Sequence, residues 1–215
     1  SQSGAGHLSL AATTGMVVKG DFIVQSTGTS TGSASLGSSG GVVTINGDLI
    51  IQGGIFNLTT SVSYTVNIDG NYTQTGGTLT QVAAGTGSTL SFRGIDKTFN
   101  QSAGTVTGTY INYAVASPGA LKMQSALTLF PSRTFVVNAG ATLTLESNIT
   151  CNGAFTQSGA MYLAGYVVSG TGSFTNNAAT SFLYVGHADG IASAGATGNI
   201  QTSTRTFGTL ANYIY

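Results

Sequence analysis

The 215 residues hold six Lys and Arg against six Asp and Glu, a net charge of zero, with 32 Gly and two Pro. Charge this sparse offers no clustered basic face for a phosphate backbone or an anionic lipid surface, so no nucleic acid is expected as a partner, and with no apolar run long enough to span a bilayer no membrane insertion either. A 41% hydrophobic content rich in Val, Ile, Phe and Tyr argues against disorder and for strands punctuated by glycine turns.

In chain order, residues 1–15 read as a polar start with a short strand around Leu8 and Leu10. A first unit begins at Met16, where Met16, Val18, Phe22 and Val24 alternate around a break at Gly20. The Ser/Thr/Gly stretch from Ser26 to Gly41, with Ala34 and Leu36 as its apolar anchors, reads as an excursion from the repeat. The unit then returns at Val43–Asn57, VTINGDLIIQGGIFN, and 23 positions later at Val66–Thr80, VNIDGNYTQTGGTLT. Without gaps, Val43, Ile45, Leu49, Ile51 and Phe56 align with Val66, Ile68, Tyr72, Gln74 and Leu79. A fourth unit, Thr89–Thr107, places Phe99, Gln101, Gly104 and Val106 on Tyr72, Gln74, Gly77 and Leu79. A degenerate fifth lies around Leu121, Met123, Leu127 and Leu129. A sixth spans Ala141–Leu163, with Phe155-Thr156-Gln157 repeating the aromatic-x-Gln pattern. Alternation continues through Val168, Phe174, Phe182, Tyr184, Ile200, Phe207 and Tyr213.

Such short units bury no apolar face alone and need stacked neighbours. The pattern predicts an all-β fold, a right-handed parallel β-helix (β-solenoid) of about seven or eight coils, against the rival of an antiparallel sandwich. One domain over 1–215 is expected. The final LANYIY stops on a strand-like run, which favours a fragment of a longer repetitive protein. No apolar run approaches the ~18–20 residues that span a bilayer. Cys151 is the single cysteine, so no intrachain disulfide and no cysteine metal cluster is expected, and no cofactor.

The candidate chemistry is thin. Asp21 and Asp48 fall at equivalent positions, with Asp69 beside a corner glycine. Asn46 and Asn71 take similar roles uncharged, so turn capping explains them better than catalysis or calcium. Glu146 is the only Glu, and a glycosidase needs two placed carboxylates. His7 and His187 are far apart and accompany no nucleophile motif; His187-Ala188-Asp189-Gly190 reads as a loop. Arg93, Lys97 and Lys122 read as a solvated edge. Gln74, Gln101 and Gln157, each two residues after an aromatic, are expected inside as a structural amide ladder between coils. Thr78, Thr80, Thr105 and Thr107 are the candidate ligand-binding residues, an outward array suited to ice or glycan. Thr142/Thr144 are out of register with them, because Leu143 and Leu145 align with the strand before the turn. Without a catalytic grouping, a non-enzyme is expected. The alternatives are a glycan- or ice-binding module using the outer Thr/Asn face, and a polysaccharide-degrading β-helix enzyme.

The segments GDLIIQGGIFNL, GNYTQTGGTLT, FNQSAGTVT, GAFTQSGAMYL, SGTGSFT and YVGHADGIASAGATGNIQTSTRTFG resemble the Gly/Thr-rich repetitive surface or secreted proteins of Bacteroidota exported by the type IX system. The resemblance runs from about Val17 to Tyr215. It implies an adhesin-like or stalk segment, extracellular or on the cell surface. Its implied partners are other domains of the same long chain, the secretion machinery, and a glycan or another surface.

Overall fold

The computed structural model describes residues 8–10, 12–13, 15–27, 32–81, 87–107 and 109–215. It is an all-β parallel solenoid of about seven turns, with no helix among the described residues and hence none able to cross a membrane. The chain divides into two compact units that interleave in sequence, residues 1–91 with 100–112 and residues 92–99 with 113–215.

In the first unit every coil sets three short strands around an apolar centre. Met16–Val18, Gly41–Ile45 and Tyr64–Ile68 stack in parallel on one side. Phe22–Val24, Leu49–Ile51 and the start of Tyr72–Thr80 stack on the next. The gapless alignment expected from the repeats is the observed register: Val43 faces Val66, Ile45 faces Ile68, Leu49 faces Tyr72, Ile51 faces Gln74 and Phe56 faces Leu79. Alternate residues point inward, so Val66, Ile68, Tyr72 and Leu79 are fully buried.

The third stack corrects the expected excursion at 26–41. Ala34–Ser35 is itself a rung, paired with Leu8–Ser9 on one side and with Phe56 and Asn57 on the other. Composition hid it, because Ser33, Ser35 and Asn57 are buried despite being polar. The strand Tyr72–Thr80 turns its corner at Gly76–Gly77 without breaking. Gly77 is left-handed there (φ 63°), and a Cβ would stand 2.6 Å from the Gly54 carbonyl oxygen in the coil before. A side chain is therefore opposed twice, by backbone conformation and by coil spacing.

In the second unit Ala120–Met123, Thr142–Leu145, Ala160–Tyr162, Phe182–Tyr184 and Asn212–Ile214 form one parallel sheet. Thr134–Val137, Ala154–Gln157, Val168–Asn176 and Ile200–Phe207 form the other, joined by Leu127–Leu129 and Ile149–Cys151. The expected sixth unit, Ala141–Leu163, thus overruns one coil: Ala160 already stacks on Thr142. Rings fill the centre. Tyr113, Phe135, Phe155 and Phe174 are consecutive partners, with centroids 5.9, 4.7 and 5.4 Å apart and interplanar angles of 20, 9 and 28°. Parallel in-register pairing forces like onto like, and each offset ring pair adds about 0.5–1.5 kcal/mol beyond burial.

Candidate functional site

Thr78 and Thr80 flank the buried Leu79 and so point outward, opposite Ile55 and Asn57 in the coil before. Thr107 follows in the next coil, its N–H bonded to the Leu79 carbonyl at 2.9 Å. The hydroxyls of Thr78 and Thr105 bond each other at 3.0 Å. Thr142 and Thr144 lie elsewhere, as expected, but on a different strand from the one expected. Thr144 stacks on Lys122, which stacks on Thr98, so the pair follows the turn rather than preceding it. The Thr-x-Thr surface therefore covers two coils only.

The three glutamines share a local job and not one column. Gln74 is fully buried; its Oε1 accepts the Tyr72 hydroxyl at 2.7 Å, and its Nε2 donates to Gly77 O at 3.2 Å and Thr105 O at 3.0 Å. Gln101 Nε2 donates to Gly104 O at 3.2 Å. Gln157 Nε2 donates to Gly159 O, and to Phe182 O at 3.2 Å in the next coil. Each amide thus holds the carbonyl of its own glycine corner. The column of Phe99 continues through Met123 and Leu145, whereas Phe155 stacks between Phe135 and Phe174. Phe155-x-Gln157 is therefore not the copy of Phe99-x-Gln101. A motif that caps a corner recurs at any corner, so it does not specify register. The coil-to-coil bonds of Gln74 and Gln157 run from amide to backbone.

The turn carboxylates and amides bracket neighbouring coils. Asp21 Oδ1 accepts the N–H of Asp48 at 2.8 Å, and Asp48 Oδ1 accepts the N–H of Asn71 at 2.7 Å. In the second unit Asn148 Oδ1 takes the N–H of Val167 at 2.9 Å and Asn152 Oδ1 that of Thr171 at 3.1 Å. Sequence reading missed the most connected bracket. Asn199, fully buried, accepts from the N–H groups of Gly186 and His187 and donates to the carbonyls of Ala164 and Tyr166. Its only signal was an amide just before the alternating run from Ile200. Arg205 Nη1 reaches the Ala192 carbonyl at 2.9 Å and its Nε that of Thr202 at 2.8 Å, fixing the same excursion.

The remaining candidates are dispersed. Glu146 accepts from Gln124 Nε2 at 3.0 Å. Lys122 stands 3.6 Å from the exposed Asp96, a solvated pair worth at most about 1 kcal/mol. His187 Nδ1 accepts the Asp189 N–H at 3.1 Å within its loop; His7 lies outside the described residues. No group of three or more His, Cys, Asp or Glu able to hold a metal occurs among the described residues.

A second feature was not singled out from the sequence. On the outward face of the second unit Tyr162 and Tyr184 stack at 4.0 Å and 12°. A hydrogen bond to Tyr184, with lesser help from burial, pushes the Tyr162 phenol above its ordinary range. Comparison with known protein families, curated proteins and solved structures returns no match.

Proposed function

We propose that the chain is a non-catalytic structural and adhesive β-solenoid segment of a bacterial cell-surface or secreted protein. The observation that carries this reading is the use of polar side chains: Asp21, Asp48, Asn148, Asn152 and Asn199 each accept a backbone N–H from another coil or a loop end. Groups committed to the backbone of the next coil stiffen the coil and converge on no common point. The surface location is supported by the resemblance of the repeats to exported Bacteroidota proteins.

Two measurements test it. Incubation with a panel of neutral and acidic polysaccharides should release no new reducing ends or unsaturated products. Cleavage that disappears in Glu146→Gln or Asp48→Asn would overturn the reading in favour of a polysaccharide-degrading enzyme. Protease treatment of intact producing cells should remove the segment; full protection would overturn the surface location.

A further inference from the structure

Two outward rows run along the first sheet of the second unit. One reads Ala120, Thr142, Ala160, Phe182, Asn212; the other reads Lys122, Thr144, Tyr162, Tyr184, Ile214. Parallel rungs repeat every ~4.8 Å, so at an in-register column each side chain stacks on the next. In the second row this contact is made, by Tyr162 on Tyr184. In the first it is interrupted. Ala160 carries only a methyl, so Thr142 and Phe182 stand two rungs, roughly 9–10 Å, apart with nothing larger than that methyl on the rung between them. Phe182 is 40% exposed and Tyr162, beside the gap, 38%.

We propose that this notch, floored by Ala160 and walled by Phe182, Thr142 and Tyr162, binds one sugar ring of a neutral polysaccharide. A pyranose has a flat C–H face and a rim of hydroxyls. Its face fills the missing rung against Phe182, and its rim meets the hydroxyls of Thr142, Thr144 and Tyr162. The chemistry selects an uncharged ligand: between Thr142 and Ile214 neither row contains an ionisable carboxylate or cation. Of the charges beside the rows, Lys122 faces Asp96 and Glu146 accepts from Gln124 Nε2. Tyr162 is already held by Tyr184, so little side-chain freedom is lost on binding. The site deepens the adhesive part of the reading above, and it is built from residues other than Thr78, Thr80, Thr105 and Thr107.

The test is affinity electrophoresis and calorimetry of the whole chain with hydroxyethylcellulose, xylan, mannan and linear β-1,3-glucan, and with polygalacturonate as an acidic comparison. At least one neutral polymer should retard the protein, with polygalacturonate inert. Phe182→Ala and Ala160→Leu, which remove a wall and fill the gap, should each weaken binding at least tenfold with the melting temperature unchanged. Ala160→Leu keeps the test open if Phe182→Ala folds poorly. Absence of binding to every neutral polymer, binding indifferent to both variants, or a self-associated chain that Phe182→Ala renders monomeric would each overturn the site. None of these outcomes touches the structural reading, which fails only by cleavage or by protection on intact cells.

Discussion

The Tyr72 hydroxyl donates to Gln74 Oε1 at 2.7 Å, and both side chains are fully buried. Val24 and Ile51 occupy the Gln74 position in the two preceding coils. Hydrocarbon therefore suits that slot, and the amide is tolerated because its partners came with it. Tyr72→Phe strands a buried acceptor and should cost about 1–3 kcal/mol. Tyr72→Phe with Gln74→Leu should recover most of that loss. Urea denaturation of the two single variants and the double variant checks it; additive losses would show that the pair does not act as a unit.

Asp48 serves as an acceptor, not as a charge. Asp48→Asn keeps an Oδ1 for the Asn71 N–H and should change stability by less than about 0.5 kcal/mol. Asp48→Ala removes the bond and should cost about 1 kcal/mol. Thermal unfolding of both, at low and high salt, separates the two roles. A large, salt-sensitive loss in Asp48→Asn would mean that the charge itself matters.

Gly77 should not accept a side chain. Gly77→Ala meets both a left-handed backbone and the Gly54 carbonyl, and should lose at least about 1–3 kcal/mol. Gly165→Ala is the control, because a Cβ there meets nothing within 4 Å and the backbone is not left-handed. An unchanged denaturation midpoint for Gly77→Ala would show that coils can part at that corner.

Burial pushes the Cys151 thiol from 9.0 up to about 11, with a smaller opposing effect from a hydrogen bond to the Gly153 backbone. The folded chain therefore holds this proton more tightly than the unfolded chain. Stability from this group is complete below pH 9 and falls as pH rises from 9 towards 11, by at most about 1.4 kcal/mol per pH unit. Cys151→Ala should flatten that part of the pH profile. The native thiol should also resist a disulfide reagent at pH 8 until denaturant is added; immediate reaction would place it at the surface.

The repeat was legible where its length hardly varied. Between Val43 and Leu79 each of the five aligned positions met its expected partner, because the side-chain period of two and the Gly corners fix the register together. Legibility failed where local chemistry outran topology. Ala34–Ser35 looked like a loop because polar residues fill a rung that backbone pairing holds in place. Gln157 looked like a copy of Gln74 because both cap a glycine corner. The Ala160 notch was invisible, since a gap exists only relative to the residues above and below it, which lie 22 and 18 positions away. Asn199 gave no repeat at all, being the fastening of one excursion.

From Ala120 to Thr142, Ala160, Phe182 and Asn212 the chain advances 22, 18, 22 and 30 residues while the pairing stays in register. The surplus in the longest step is gathered at one place, between Tyr184 and Ile200, where Asn199 and Arg205 tie its backbone down. That excursion is a natural port for foreign sequence. A peptide epitope inserted near Gly195, whose Cβ position meets nothing within 4 Å, should be carried on the outside with the coils beneath undisturbed.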